Sequence, residues 1–228
     1  MRSQAQSGFS LIELMVGMAV GLIMMAAVVA LSTSILRTNA ETVTVAKLTQ
    51  EGRAISDLVS HEVRRARFNG TSYLTVGAGC SAGGAFGDIF IGASRVFQKN
   101  CATTPPTITA ASTSGNCIRF SYDANGNGTL DANEVKVISL YSNAVYFGQF
   151  DTYTAATCVS NAGQAAAALR ISSPDVSVGS LQFRGNTANG ALAANVNRID
   201  LDFRLALINN ASITRRFDQA VELRNPFL

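Results

Sequence analysis

The residues with the clearest chemical potential lie between Asp123 and Glu134. The segment Asp123-Ala-Asn125-Gly-Asn127-Gly128-Thr129-Leu-Asp131-Ala-Asn-Glu134 fits the calcium-loop template at each of its defined positions. Calcium takes six to eight oxygen ligands, and this spacing wraps them around one point. Asp123, Asn125 and Asn127 would give side-chain oxygens, Thr129 its carbonyl, Asp131 a bond through water, and Glu134 both carboxylate oxygens. Gly128 permits the sharp turn. The expected cofactor is one structural calcium ion. The flanks are strand-like, so the loop would join a β-hairpin and not two helices. The plainer alternative is an Asn-Gly-rich hairpin turn without metal, but such a turn has no need of Glu134.

The other reactive groups are few. The four cysteines, Cys80, Cys101, Cys117 and Cys158, form no Cys-x-x-Cys pair, and His61 is the only histidine. That pattern argues against zinc. Widely spaced cysteines in even number, behind a membrane-directing segment, point to two disulfides in an oxidising compartment. Three pairings are possible and the sequence alone does not choose. Cys80–Cys101 with Cys117–Cys158 is favoured because each closes a loop of moderate length. His61 has no plausible nucleophile or acid partner, and no phosphate-binding glycine loop follows a strand, so no enzyme is expected. A net charge of +3 is too weak to indicate nucleic-acid binding, and the basic cluster Arg64, Arg65 and Arg67 reads as solvated helix surface.

These groups must be positioned by two very different regions. Hydrophobic residues make up 47% of the chain, and much of that content stands in one block. From Leu14 to Leu31 no residue carries a charge or a hydroxyl, which gives roughly 27 Å of helix, close to the bilayer hydrocarbon thickness. Just before the block stands Glu13. A carboxylate at the start of a membrane helix is costly, and by default it marks function with a partner to be named. Gly17 and Gly21 have the small-xxx-small spacing that lets helices approach closely.

The opening Gly8-Phe9-Ser10-Leu11-Ile12-Glu13 resembles the processing site of type IV prepilins. The resemblance implies cleavage by a membrane-embedded prepilin peptidase between Gly8 and Phe9. It also implies methylation of the new Phe9 amine and retention of the apolar helix, unlike a secretory signal. Glu13 then becomes the fifth mature residue, placed to pair with the Phe9 amine of a neighbouring subunit inside an apolar bundle. There an unpaired charge is expensive and a paired one far less so. Major pilins usually carry a proline where this chain has Ala30, and the departure leans toward a minor pilin or pseudopilin.

The helix is expected to continue to about Arg67, with Val45, Leu48, Ile55, Leu58, Val59 and Val63 on one face. Gly52 is its one weak point. The combination Gly52-Arg53, Glu62, Arg65, Ala66 and Gly70 resembles the PilW-type minor pilins. After Gly70, short apolar alternations separated by Gly, Asn, Ser and Pro indicate strands at Ile118–Tyr122, Val135–Tyr141, Leu181–Arg184, Ile199–Leu207 and Phe217–Arg224. The Gly/Ser/Thr/Ala-rich stretch Ser72–Ser114 reads as loops stapled by a disulfide.

The expected fold is therefore α+β and pilin-like, a long N-terminal helix packed on an antiparallel β-sheet domain. Its parts would be a leader (1–8), a transmembrane assembly helix (9–36), an amphipathic helix (37–69) and a periplasmic β domain (70–228). The resemblance implies a PilW-type minor pilin of the inner membrane, with its C-terminal domain in the periplasm until it enters the pilus. Its partners would be the membrane, prepilin peptidase, other minor and major pilins and the inner-membrane assembly platform. A type II secretion pseudopilin of the J type is the near alternative. A secreted calcium-binding module behind an ordinary signal peptide is the alternative of another class.

Overall fold

The computed structural model describes residues 8, 10–71, 86, 88–100, 107–110, 113–153, 156–185 and 198–223. Helix α1 runs without a break over Leu11–Arg65, 55 residues or about 80 Å. No proline interrupts it, and Arg64 and Arg65 in the last turn face the negative end of its dipole. The chain divides into two compact units between Lys47 and Leu48. The first consists, among the described residues, of Gly8, Ser10 and α1 up to Lys47. The first buried residue of α1 is Leu48.

In the second unit, α1 supplies the stripe Leu48, Gly52, Ile55, Val59 and Val63, all buried. Spacings of three and four residues put these on one helical face. Leu58 falls off that face and is 39% exposed, so it does not belong to the stripe as expected. The strands are β1 (Ile89–Ile91), β2 (Ser94–Asn100), β3 (Thr107–Ala110), β4 (Thr113–Gly115), β5 (Cys117–Ser121), β6 (Val135–Tyr141), β7 (Ala144–Phe150), β8 (Leu169–Arg170), β9 (Val176–Gly185), β10 (Arg198–Leu207) and β11 (Asn210–Glu222), with a short helix α2 (Ala162–Ala167) before β8. They form a seven-stranded sheet in the order β3-β2-β1-β5-β6-β7-β8 and a four-stranded sheet in the order β11-β10-β9-β4. Every described pairing is antiparallel. The fold is thus the expected α+β, pilin-like architecture.

One apolar core joins the α1 stripe to Ile118, Phe120 and Ile138 of the larger sheet and to Leu181, Phe183 and Phe203 of the smaller. Each such side chain contributes about 1.5–3 kcal/mol on burial. The expected weak point at Gly52 is a contact. A methyl group there would fall inside the ring of Phe217, which stacks on Phe203 with centroids 5.1 Å apart. A second, smaller core holds Cys117, Val135, Val137 and Ala156, with Leu130, Phe150 and Tyr153 against it.

The loop reading of Ser72–Ser114 needs correction where residues are described. β1 to β3 fall inside it, and so do the first two residues of β4. Thr, Ser and Gly there hid the strands; β1, β2 and β3 pair in succession, while β5 and β9 supply the outer partners of β1 and β4. Strands β7 and β8 and helix α2 were also not apparent. The β6–β7 turn uses Ser142 and Asn143, both with positive φ (47° and 58°), the two-residue geometry for which glycine is the usual signal.

Candidate functional sites

Helix α1 begins at a Ser10-Leu11-Ile12-Glu13 spacing. The Ser10 carbonyl accepts from the Glu13 and Leu14 amides (3.0 and 3.2 Å), so Ser10 caps the helix and Glu13 stands in its first turn. This is the spacing of a capping box, and a carboxylate there favours the positive end of the helix dipole. Phe9 lies outside the described residues, so the Gly8–Phe9 junction carries no geometry. From Leu11 to Val43 the helix buries none of its large apolar side chains, Leu11 being 76% and Leu22 72% exposed. Methyl groups added at Gly17 or Gly21 would meet nothing within the chain. Past the apolar run, the hydroxyls of Ser32, Thr38 and Thr42 donate to carbonyls four residues back, and that of Thr33 to the carbonyl three back. The helix thereby satisfies its own polar side chains.

The Asp123–Glu134 loop connects β5 to β6, whose last pair is Ser121 with Val135. Both end carboxylates are buried, Asp123 at 1% and Glu134 at 2% exposure. Asp123 Oδ1 accepts from the amides of Gly126 (2.6 Å) and Asn127 (3.2 Å), and Oδ2 from those of Gly128 (2.7 Å) and Gly70 (2.9 Å). Burial alone would raise the Asp123 pKa, but these four N–H donors outweigh it and hold the carboxyl below its usual range. Glu134 Oε1 accepts from the Ala124 amide (2.8 Å) and Oε2 from the Asp131 amide (2.7 Å).

The Asn127 amide donates to Asn125 Oδ1, and the Thr129 amide to Asn127 Oδ1. The side-chain nitrogens of Asn125 and Asn127 both donate to Asp131 Oδ2 (2.8 and 2.5 Å), and these bonds lower the Asp131 pKa. Gly126 and Gly128 both adopt φ of +78°, which side chains rarely tolerate. Leu130 packs into the second core. The structure therefore brings Asp123, Asn125, Asn127, Thr129, Asp131 and Glu134 into one closed turn. Among the described residues, no three acidic, His or Cys side chains gather closely enough to hold a metal.

Cys117 and Cys158 form a disulfide with Cα atoms 5.9 Å apart, tying β5 to the segment before α2. Cys80 and Cys101 lie outside the described residues. His61 is exposed and stands 3.6 Å from Glu62.

Residues 41–223 match the family of prepilin peptidase-dependent protein B, and residues 3–29 match the prokaryotic N-terminal methylation motif. The chain belongs to the prepilin peptidase-dependent protein B family. It is a type IV pilin-like protein, membrane-anchored through its N-terminal helix, and its working context is pilins and membrane assembly machinery. Families of this kind are structural and not catalytic. No curated protein and no solved structure matches the chain.

Sequence reasoning missed a cluster beside the loop of this pilin-like protein. The Tyr122 hydroxyl donates to Glu62 Oε2 (2.9 Å). The Arg65 guanidinium lies 4.2 Å from the Tyr122 ring centroid and the Lys136 ammonium 5.2 Å from it. Burial raises the Tyr122 pKa, and the bond to Glu62 adds to the effect; burial lowers that of Lys136. The only local signal was a carboxylate and an arginine one turn apart at the end of α1.

Proposed function

We propose that the chain is a PilW-type minor pilin, cut between Gly8 and Phe9 by prepilin peptidase and methylated on Phe9. It sits in the inner membrane by α1, holds its β domain in the periplasm, and takes part in initiating or populating the pilus with other minor and major pilins. The observation that supports this is the apolar length of α1, none of it buried within the chain, continuing unbroken into the helix of the β domain. A cleaved signal would not be continued in that way. Intact-mass spectrometry of the membrane-extracted protein should show loss of residues 1–8 and gain of one methyl group. A mature N-terminus near residue 33 would instead indicate a secreted module. Deletion of the gene should remove surface pili; loss of type II secretion with pili intact would assign the chain to the J-type pseudopilins.

A calcium ion in the Asp123–Glu134 loop belongs to the same reading as a structural element. Supporting it are the template positions held in a single closed turn between two paired strands. The fit is of the backbone more than of the side chains. Asn125 and Asn127 point nitrogens at Asp131, and a cation would require their oxygens in that place. When bound, calcium would offset two of the three negative charges on Asp123, Asp131 and Glu134. Isothermal calorimetry on the detergent-solubilised chain should detect one calcium; no heat of binding, with equal melting in calcium and chelator, would leave the loop a metal-free turn.

A further inference from the structure

We propose that the Asp123–Glu134 loop is a clasp for the end of α1, fastening the chain at the point where it leaves the helix. α1 ends at Arg65 and the chain turns sharply at Arg67, whose φ is +67°, an uncommon conformation for a side chain of that size. The turn is not held by the helix alone. The Arg67 amide donates to the Ser121 carbonyl (2.8 Å), and the Asp123 amide donates to the Phe68 carbonyl (2.8 Å). The Gly70 amide then donates to Asp123 Oδ2 (2.9 Å). Three successive bonds thus zip residues 67–70 along the end of β5, and the last lands on a buried carboxylate.

The surfaces are fitted as closely as the bonds. A methyl group at Gly70 would come within 2.5 Å of Gly126 Cα, backbone that cannot swing aside, and one at Gly128 would overlap the Thr71 side chain. Thr71 is itself turned in by its amide and hydroxyl, which both donate to Asn69 Oδ1 (2.9 Å each). The Tyr122–Glu62 bond and Arg65 on the Tyr122 ring secure the last turn of α1 to the residue preceding Asp123. Asp123 therefore serves two segments at once. Its Oδ1 and one bond to Oδ2 close the loop, and the other bond to Oδ2 holds the strap. The loop and the helix end cannot rearrange independently, and the register of α1's last turn on the sheet follows the state of the loop. In this arrangement Asp123, Gly70 and Gly128 are positioning residues for the helix, whether or not a cation occupies the loop.

Hydrogen exchange on the full chain in detergent micelles tests this. Gly70→Ala should open the clasp from the strap side and Asp123→Asn from the loop side. Each removes a charge-assisted bond or its geometry, so amides of residues 67–71 should exchange about tenfold faster or more. Amides in the middle of β9 and β10 should keep their protection. The double variant should exchange no faster in 67–71 than the stronger single one, because both act through one contact. Should Gly70→Ala fail to fold, Asp123→Asn carries the test by itself. Unchanged exchange at 67–71 would overturn the clasp, and so would acceleration spread equally over β9 and β10 or an additive double variant.

Discussion

Two parts of one helix carry apolar residues for opposite purposes. From Leu48 to Val63, α1 buries Leu48, Ile55, Val59 and Val63 to 2% exposure or less against two sheets of the same chain. From Leu11 to Val43, residues of the same types are mostly 50–76% exposed. The first segment answers its hydrophobic demand internally. The second is incomplete as a molecule and requires lipid or other helices around it. Periodicity follows the difference. The buried segment is apolar on one stripe, whereas the exposed one is apolar on all sides from Leu14 to Leu31.

The sharpest way to break this comparison is at Glu13. Replacement by Ala removes a costly charge from the membrane segment, so insertion should persist. Loss of the partner for a neighbouring Phe9 amine should cut incorporation into filaments tenfold or more, on the order of a broken buried ion pair. Counting pili and quantifying the subunit in sheared filaments checks this; wild-type incorporation would sink the pairing. The β domain should not notice that change but should notice the loss of its crosslink. The Cys117–Cys158 bridge spans 41 residues, and replacing both by Ser should cost about 4 kcal/mol on the chain-entropy account, seen as a lower midpoint in urea.

Calcium at a hundredfold excess over its Kd should raise the stability of the β domain by about 2.7 kcal/mol relative to chelator. Glu134→Ala should erase most of that, and melting curves with and without chelator decide it. Gly52→Ala, which would stabilise an ordinary helix interior, should here cost about 1–3 kcal/mol because Phe217 must move; Gly17→Ala should leave the stability of the β domain unchanged. Removing the residues before Arg37 should likewise have little effect. The urea midpoint of the remaining chain should shift by less than about 1 kcal/mol equivalent, since the large apolar side chains removed are unburied.

Much of this was legible in residues close together in sequence. The helix, its apolar opening and the stripe from Leu48 to Val63 are local patterns, set by a period of 3.6 and by the cost of charge in lipid. The loop template is likewise local, and so are most of β5 and of β10, which alternate cleanly. Other features depend on partners far along the chain. Strands β1 and β4 carry little alternation of their own and are fixed by hydrogen bonds from β5 and β9 later in the chain. Gly52 looks like a flaw until Phe217, on the last strand, fills the space beside it. Asp123 shows only its own loop in the sequence, whereas in the structure Gly70 arrives from the end of α1 to share its carboxylate. Sequence determined where α1 runs and where the Asp123–Glu134 loop falls because those choices are made within a turn or two of chain. Only the tertiary structure decided what each glycine and carboxylate touches, because a contact needs two segments and one of them carries no mark of the other.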